Sequence, residues 1–178
     1  MEYQEKKVSS RRVFEGRIIR VELDEILLPN GKPGRREVVR HHGGVAVLAI
    51  DSNNQVLFVR QYRYPYGEML LEIPAGKLEP GEDPADCGRR ELEEETGCTC
   101  GEYAFLAKVY PTPGYVDEVL HLYLARDLTA TRQRLDEDEF LTVERIPLQR
   151  AVALCLDGTI TDAKTLVAIL KFNEMQRG

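Results

Sequence analysis

Residues 76–98 read GKLEPGEDPADCGRRELEEETGC, with Glu91, Glu93, Glu94 and Glu95 crowded together just ahead of Gly97. On a helix turning about 100° per residue, Glu91 and Glu95 nearly overlie and Glu94 lies one step round, so three carboxylates share one side. Like charges four apart destabilise a helix by about 0.2–0.5 kcal/mol, and only Arg90 is placed to offset Glu94 within it. The plain reading is a solvated acidic face, as for most charge runs. A bound divalent cation would instead remove the repulsion. Glutamate oxygens without histidine or cysteine suit a hard ion such as magnesium or manganese rather than zinc.

The segment carrying these residues has helix boundary signals at both ends. Asp83 is a candidate N-cap, Pro84 takes the first helical position, Asp86 falls in the first turn and Gly97 marks the stop. Ala85, Gly88 and Leu92 form a narrow apolar stripe, which predicts a helix lying on a core with its acidic edge at the margin. Gly88, unfavourable inside a helix, predicts another backbone passing close by.

Elsewhere, Arg11 to about Arg40 reads as two or three antiparallel strands, with Asn30–Gly31 and Pro33–Gly34 as turns. The runs GVAVLAI (44–50) and QVLFVRQY (55–62), separated by DSNN, predict a hairpin of buried strands. Further strands are expected at Met69–Ile73, Tyr103–Tyr110, Glu118–Ala125 and Phe140–Arg145, and amphipathic helices at Pro147–Leu156 and Thr161–Met175. This interleaving predicts an α/β fold built in layers.

The chain has 178 residues, a formal net charge of −6 and a pI near 5.2. That length suits one substantial core with a small subdomain. No dense Lys/Arg run offers a nucleic-acid footprint, no apolar run is long enough to span a membrane, and the N-terminus lacks a signal peptide's apolar region. The expectation is a cytoplasmic protein without nucleic-acid or membrane partners. Cys87, Cys98, Cys100 and Cys155 show no metal-binding spacing and read as reduced thiols; His41, His42 and His121 read as structural.

The 76–98 segment resembles the signature of the Nudix hydrolases: glycine, five residues, glutamate, seven residues, then Arg-Glu-aliphatic-x-Glu-Glu-x-Gly-aliphatic. Gly76, Glu82, Arg90, Glu91, Leu92, Glu94, Glu95 and Gly97 fit, and Cys98 replaces the last aliphatic residue. The resemblance implies an α/β/α sandwich with a mixed sheet and a small N-terminal antiparallel β-subdomain, divided as 1–42 and 43–178. It also implies magnesium-dependent cleavage of a nucleoside diphosphate linked to another moiety, with manganese able to substitute. Glu91 and Glu95 would hold metal, Glu94 would lie close by, Arg90 would orient the carboxylates, and the Ala75 carbonyl would complete the coordination.

Downstream, YPTPGYVDE (110–118), with Pro113 and Glu118, is similar to the proline segment of ADP-ribose pyrophosphatases within that family. This implies hydrolysis of ADP-ribose to AMP and ribose 5-phosphate by a homodimer packed through the N-terminal strands. A mobile loop in those enzymes supplies a glutamate that activates water. Within the acidic run Leu135–Glu139 the first choice for this base is Glu137, with Glu139 as a further metal ligand; the two positions could exchange. Arg63 resembles an arginine that contacts substrate, and Arg40 stands where it could do likewise; both could instead form surface ion pairs. A broader nucleoside diphosphate-sugar hydrolase, acting for instance on GDP-mannose, or a non-catalytic ADP-ribose sensor, are the alternatives.

Overall fold

The computed structural model describes residues 3–137 and 139–177, so Asp138 of the acidic run lies outside the described residues. The chain divides into two compact units, 1–43 with 110–119, and 44–109 with 120–178.

The first unit is an antiparallel sheet in the order β1 (Lys6–Glu15), β2 (Ile19–Leu27), β3 (Pro33–His41). Its β2–β3 turn closes where the Gly31 N–H donates to the Leu28 carbonyl at 2.8 Å, with Gly31 at φ 78°. Pro33 and Gly34, expected in a turn, instead open β3. A proline is tolerated there because it is the first residue of an edge strand, where one missing N–H costs little. The proline segment belongs to this unit: the Val39 N–H donates to Tyr115 O at 2.8 Å and the Asp117 N–H to Val39 O at 3.1 Å.

Among the described residues the second unit holds two sheets and three helices. One sheet has the order β7 (Ala75–Lys77), β4 (Gly44–Ala49), β9 (Leu120–Ala130), β8 (Cys98–Val109); the other is β10 (Leu141–Pro147), β5 (Gln55–Arg63), β6 (Glu68–Glu72). The predicted hairpin of β4 with β5 does not form. Among the described residues an isolated bridge, Ile50 with Val56, and the Asp51 N–H bond to Gln55 O at 2.9 Å close the turn, while β4 pairs in parallel with β9 and antiparallel with β7. The DSNN turn is real, but past it the strands separate into different sheets.

Every residue of β4 is buried, as a strand covered on both faces must be. Val45, Val47 and Ala49 face a core shared with Leu92 and Cys87 of α1 (Pro84–Thr96). Ala46 and Leu48 face the opposite core, closed by Leu148, Ala151 and Val152 of α2 (Leu148–Leu156) and Ala168, Ile169 and Phe172 of α3 (Ala163–Met175). Alternation along one strand thus builds an α/β/α sandwich with a mixed sheet.

The Gly88 neighbour is a side chain rather than a backbone. A Cβ there would stand 2.0 Å from the Tyr103 hydroxyl and 2.8 Å from Val45 Cγ2. Tyr103, on β8, stacks on Tyr123 with centroids 4.7 Å apart, and its buried hydroxyl has no hydrogen-bond partner among the described residues. Gly88→Ala should therefore lower stability by about 1–3 kcal/mol through overpacking. Tyr103→Phe should raise it by about 1 kcal/mol by removing an unpaired buried polar group. In the double variant the alanine should cost less than it does alone, as read from urea midpoints; strictly additive effects would contradict the contact.

Candidate active site

The boundaries of α1 form as their residue types dictate. The Asp83 side chain accepts the Ala85 N–H at 2.8 Å, Pro84 opens the helix, and Gly97 at φ 64° closes it with its N–H on Glu93 O. The buried face differs from the expected stripe. Besides Gly88 and Leu92 it includes Cys87, Glu91, Glu95 and Thr96, so two of the acidic residues lie against the core rather than at its margin. The reason is angular: Glu91 and Glu95 follow Cys87 at intervals of four and share its side of the helix.

Arg90 is the hub of the carboxylates. Its Nε and Nη2 bond Glu82 at 3.0 and 3.2 Å, and Nη1 bonds Glu91 and Glu94, each at 2.9 Å. The bonds from Arg90 hold the Glu82 carboxyl at about 2, far below its ordinary 4.5. Burial pushes Glu91 upward, against the pull of Arg90 and with the charges of Glu94 and Glu139 adding to the rise.

Glu95 is the extreme case. It is 2% exposed, and its Oε2 accepts the Ala75 N–H at 2.9 Å, but no cation bonds it among the described residues. Burial, reinforced by the charges of Glu91 and Glu139, raises its carboxyl to about 8 despite the Ala75 bond. A carboxylate in this position must take up a proton or find a cation.

Gly76, on β7, makes room for this cluster. A Cβ there would fall 1.9 Å from the Glu91 carboxylate, so only glycine lets the loop and the glutamate occupy adjoining space. From the other side, residues 131–134 are tied to the end of α1. The Thr131 N–H bonds Gly97 O at 2.7 Å, Gln133 Nε2 bonds Glu95 O at 2.6 Å, and the Arg134 N–H bonds Glu94 O at 2.9 Å. Beyond this anchor, Glu139 is exposed yet its charge acts on both Glu91 and Glu95. Glu137 is exposed and has no bonded partner among the described residues.

Of the residues expected from sequence, then, Ala75 bonds Glu95 and Arg90 bonds Glu91 and Glu94, while Glu139 makes no bond to them among the described residues and acts on Glu91 and Glu95 through its charge alone. Arg63 bonds Glu72 with two parallel contacts of 2.6 and 2.7 Å, and the Glu95 charge also acts on it. Arg40, Pro113 and Glu118 belong to the first unit. Arg40 is held by Glu22 at 2.9 Å and Asp117 at 3.0 Å, Pro113 is exposed in a turn, and Glu118 lies 3.6 Å from His41 Nδ1. Sequence reasoning missed Glu72, Lys164 and Gln133. The lone acid in the apolar run MLLEIP was the one available signal for Glu72.

The donor chemistry fits a divalent cation. The carboxylates are oxygen-only, crowded, and desolvated enough that a positive ion would be strongly favoured among them. Among the described residues no three such side chains yet converge as ligands, since an oxygen of Glu91 and one of Glu94 are engaged by Arg90. Gly76→Ala should displace the Glu91 carboxylate and, if Glu91 holds a metal, cut turnover about 100-fold, the size of loss that follows removal of a residue supporting a metal ligand. It should lower the unfolding midpoint only modestly, because the obstructing atoms all belong to the Glu91 side chain and none to the backbone. Full activity in that variant would contradict the packing.

The NUDIX domain family matches residues 40–168, and the nucleoside diphosphate sugar hydrolase N-terminal domain family matches residues 5–39. The methanol dehydrogenase activator of Bacillus methanolicus is 42% identical over 169 residues, 94% of this chain and 91% of that protein. The ADP-ribose pyrophosphatase of Bacillus subtilis (strain 168) is 41% identical over 168 residues, 93% of this chain and 91% of that protein. A crystal structure described as an ADP compounds hydrolase is similar at a TM-score of 0.86 and 25% identity, covering 98% of this chain and 95% of its own. With the carboxylate helix inside a family match that spans most of its length, the chain belongs to the Nudix family of hydrolases.

Proposed function

We propose that this chain hydrolyses the diphosphate of ADP-ribose with magnesium, consuming one water and releasing AMP and ribose 5-phosphate. The observation that carries the reading is the buried, mutually repelling pair Glu91 and Glu95, with Arg90 and Glu139 around it. The substrate is taken from the Bacillus subtilis relative, whose similarity runs through both units.

Glu91 and Glu95 would hold the metal, with the Ala75 carbonyl and Glu139 completing the set. The bound ion supplies neutralisation of the diphosphate charge and a more acidic attacking water. Arg90 keeps Glu91 and Glu94 in place through its bonds to both and to Glu82. Glu137, exposed and without a bonded partner among the described residues, is the candidate base; such contacts commonly tighten only in the complex. Arg63 would bind the diphosphate through the guanidinium edge that Glu72 leaves open. Arg40, Pro113 and Glu118 are the substrate contacts proposed for the first unit, Arg40 exchanging one of its present carboxylates for substrate.

We further propose a cytoplasmic homodimer formed through the N-terminal sheet. β1 is exposed along its whole length, with Val8, Val13 and Phe14 outward, and an open edge of this kind is normally covered. Light scattering should give twice the 20.3 kDa chain mass, a monomer contradicting the dimer, and fractionation of cells should recover the chain with the cytoplasm.

The deciding experiment is chromatography of products from ADP-ribose, ADP-glucose, GDP-mannose and NADH, with magnesium or with excess chelator. AMP should form fastest from ADP-ribose, and only with metal. Faster cleavage of GDP-mannose would overturn the substrate, and tight binding without turnover would make the domain a sensor. Glu91→Gln should lower kcat about 100-fold if it holds the metal. Glu137→Gln should lower kcat with little change in KM, and an unaffected kcat would move the base to Glu139 or elsewhere.

A further inference from the structure

Arg63, at the end of β5, is gripped rather than free. Its Nε and Nη2 bond the two oxygens of Glu72 at 2.6 and 2.7 Å, and Glu72 is 1% exposed. Lys164 Nζ bonds the same Glu72 oxygen that receives Nη2, and is itself buried and held by Asp162 Oδ1 at 2.9 Å. Asp162 is the N-cap of α3, its other oxygen accepting the Thr165 N–H at 3.0 Å. The Thr165 hydroxyl accepts the N–H of Ile73, the residue after Glu72, at 2.9 Å. The first turn of α3 is thereby fastened both to the Glu72 side chain and to the backbone of the residue that follows it.

This arrangement has a geometric consequence. A guanidinium is planar, with five N–H donors in a fixed fork, so bonding one edge to a carboxylate sets the direction of the other edge. The Nη1 edge of Arg63 has no partner among the described residues. Its aim follows the plane of the Glu72 carboxylate, and Lys164 holds that carboxylate through the oxygen it shares with Nη2. Two cations face two anions, Glu72 and Asp162, so the cluster is balanced in charge while leaving three guanidinium donors available. Both cations also lie within electrostatic reach of Glu95.

We infer that Lys164 is a positioning residue for diphosphate hydrolysis: through Glu72 it aims the free edge of Arg63 at the substrate diphosphate. The inference rests on Arg63 being a diphosphate contact, as read above. Lys164 itself touches neither substrate nor metal in this scheme, which separates it from the carboxylates of α1.

The test is a double-mutant cycle on the full chain, with Lys164→Met, Arg63→Gln, the pair, and Lys164→Arg. Lys164→Met should raise KM for ADP-ribose about tenfold, the scale on which supporting residues act, with kcat nearly unchanged. Lys164→Arg, which keeps the charge, should recover most of the loss, and Lys164→Met should add nothing in the Arg63→Gln background. Calorimetry with α,β-methylene ADP-ribose in chelator should show the same weakening without turnover. Should the methionine variant not fold, Lys164→Gln takes its place with the same expectations. An unchanged KM, an additive double variant, or a loss that arginine fails to rescue and that tracks a lowered unfolding midpoint would overturn the inference. Failure of the substrate reading shows separately, as wild-type protein that leaves ADP-ribose intact; the cycle then runs on whichever nucleoside diphosphate sugar it cleaves.

Discussion

A carboxylate held away from water with no cation bonded to it is an unstable element of any fold, and among the described residues Glu95 is in that position here. Its desolvation is imposed by architecture. α1 must bury Leu92 and Cys87 against β4, and the helical repeat that puts them there carries Glu91 and Glu95 to the same side. Arg90 relieves Glu91 and Glu94 but does not bond Glu95. The remaining imbalance is what gives the site its appetite for a positive ion, and the same imbalance costs the metal-free protein stability.

Other features follow from keeping this cluster intact. Gly76 must lack a side chain because the Glu91 carboxylate occupies its Cβ space, and Gly88 must lack one so that α1 can close onto Tyr103. The short strand β7 pairs with β4 and so delivers the Ala75 N–H to Glu95. Gln133 and Arg134 tie the segment after β9 to the last carbonyls of α1. A second charged cluster, Arg63, Glu72, Lys164 and Asp162, joins β5, β6 and α3 close enough for its cations to sense Glu95.

How much of this could be read from sequence tracks the distance over which each signal acts. The cap at Asp83, the stop at Gly97 and the Arg90–Glu94 pair are local, and the structure has them as read. The layered fold was legible because buried strands and amphipathic helices alternate along the chain. The β4–β5 hairpin was misread because a local turn says nothing about which distant strand competes for β4, and β9 wins as its parallel partner. The depth of Glu91 and Glu95 is not legible locally, because charge ordinarily marks the solvent side of a helix and here the four-residue spacing from Cys87 overrides it. Glu72 and Lys164 lie 92 residues apart, and no local pattern links them.

The most direct measurement is thermal unfolding of the wild type and Glu95→Gln, with chelator and with magnesium, between pH 6 and 9. Because burial lifts the folded Glu95 carboxyl to about 8 from an ordinary 4.5, its ionisation is disfavoured in the native state. Its stability contribution is therefore best below 4.5 and falls as pH rises toward 8. In chelator, Glu95→Gln should unfold at a higher temperature than wild type, with a gap that widens as the pH rises. Magnesium should raise the wild-type midpoint and leave that of Glu95→Gln nearly unmoved. A Glu95→Gln variant that is less stable than wild type in chelator, or that responds to magnesium equally, would contradict the claim that buried charge repulsion builds the metal site.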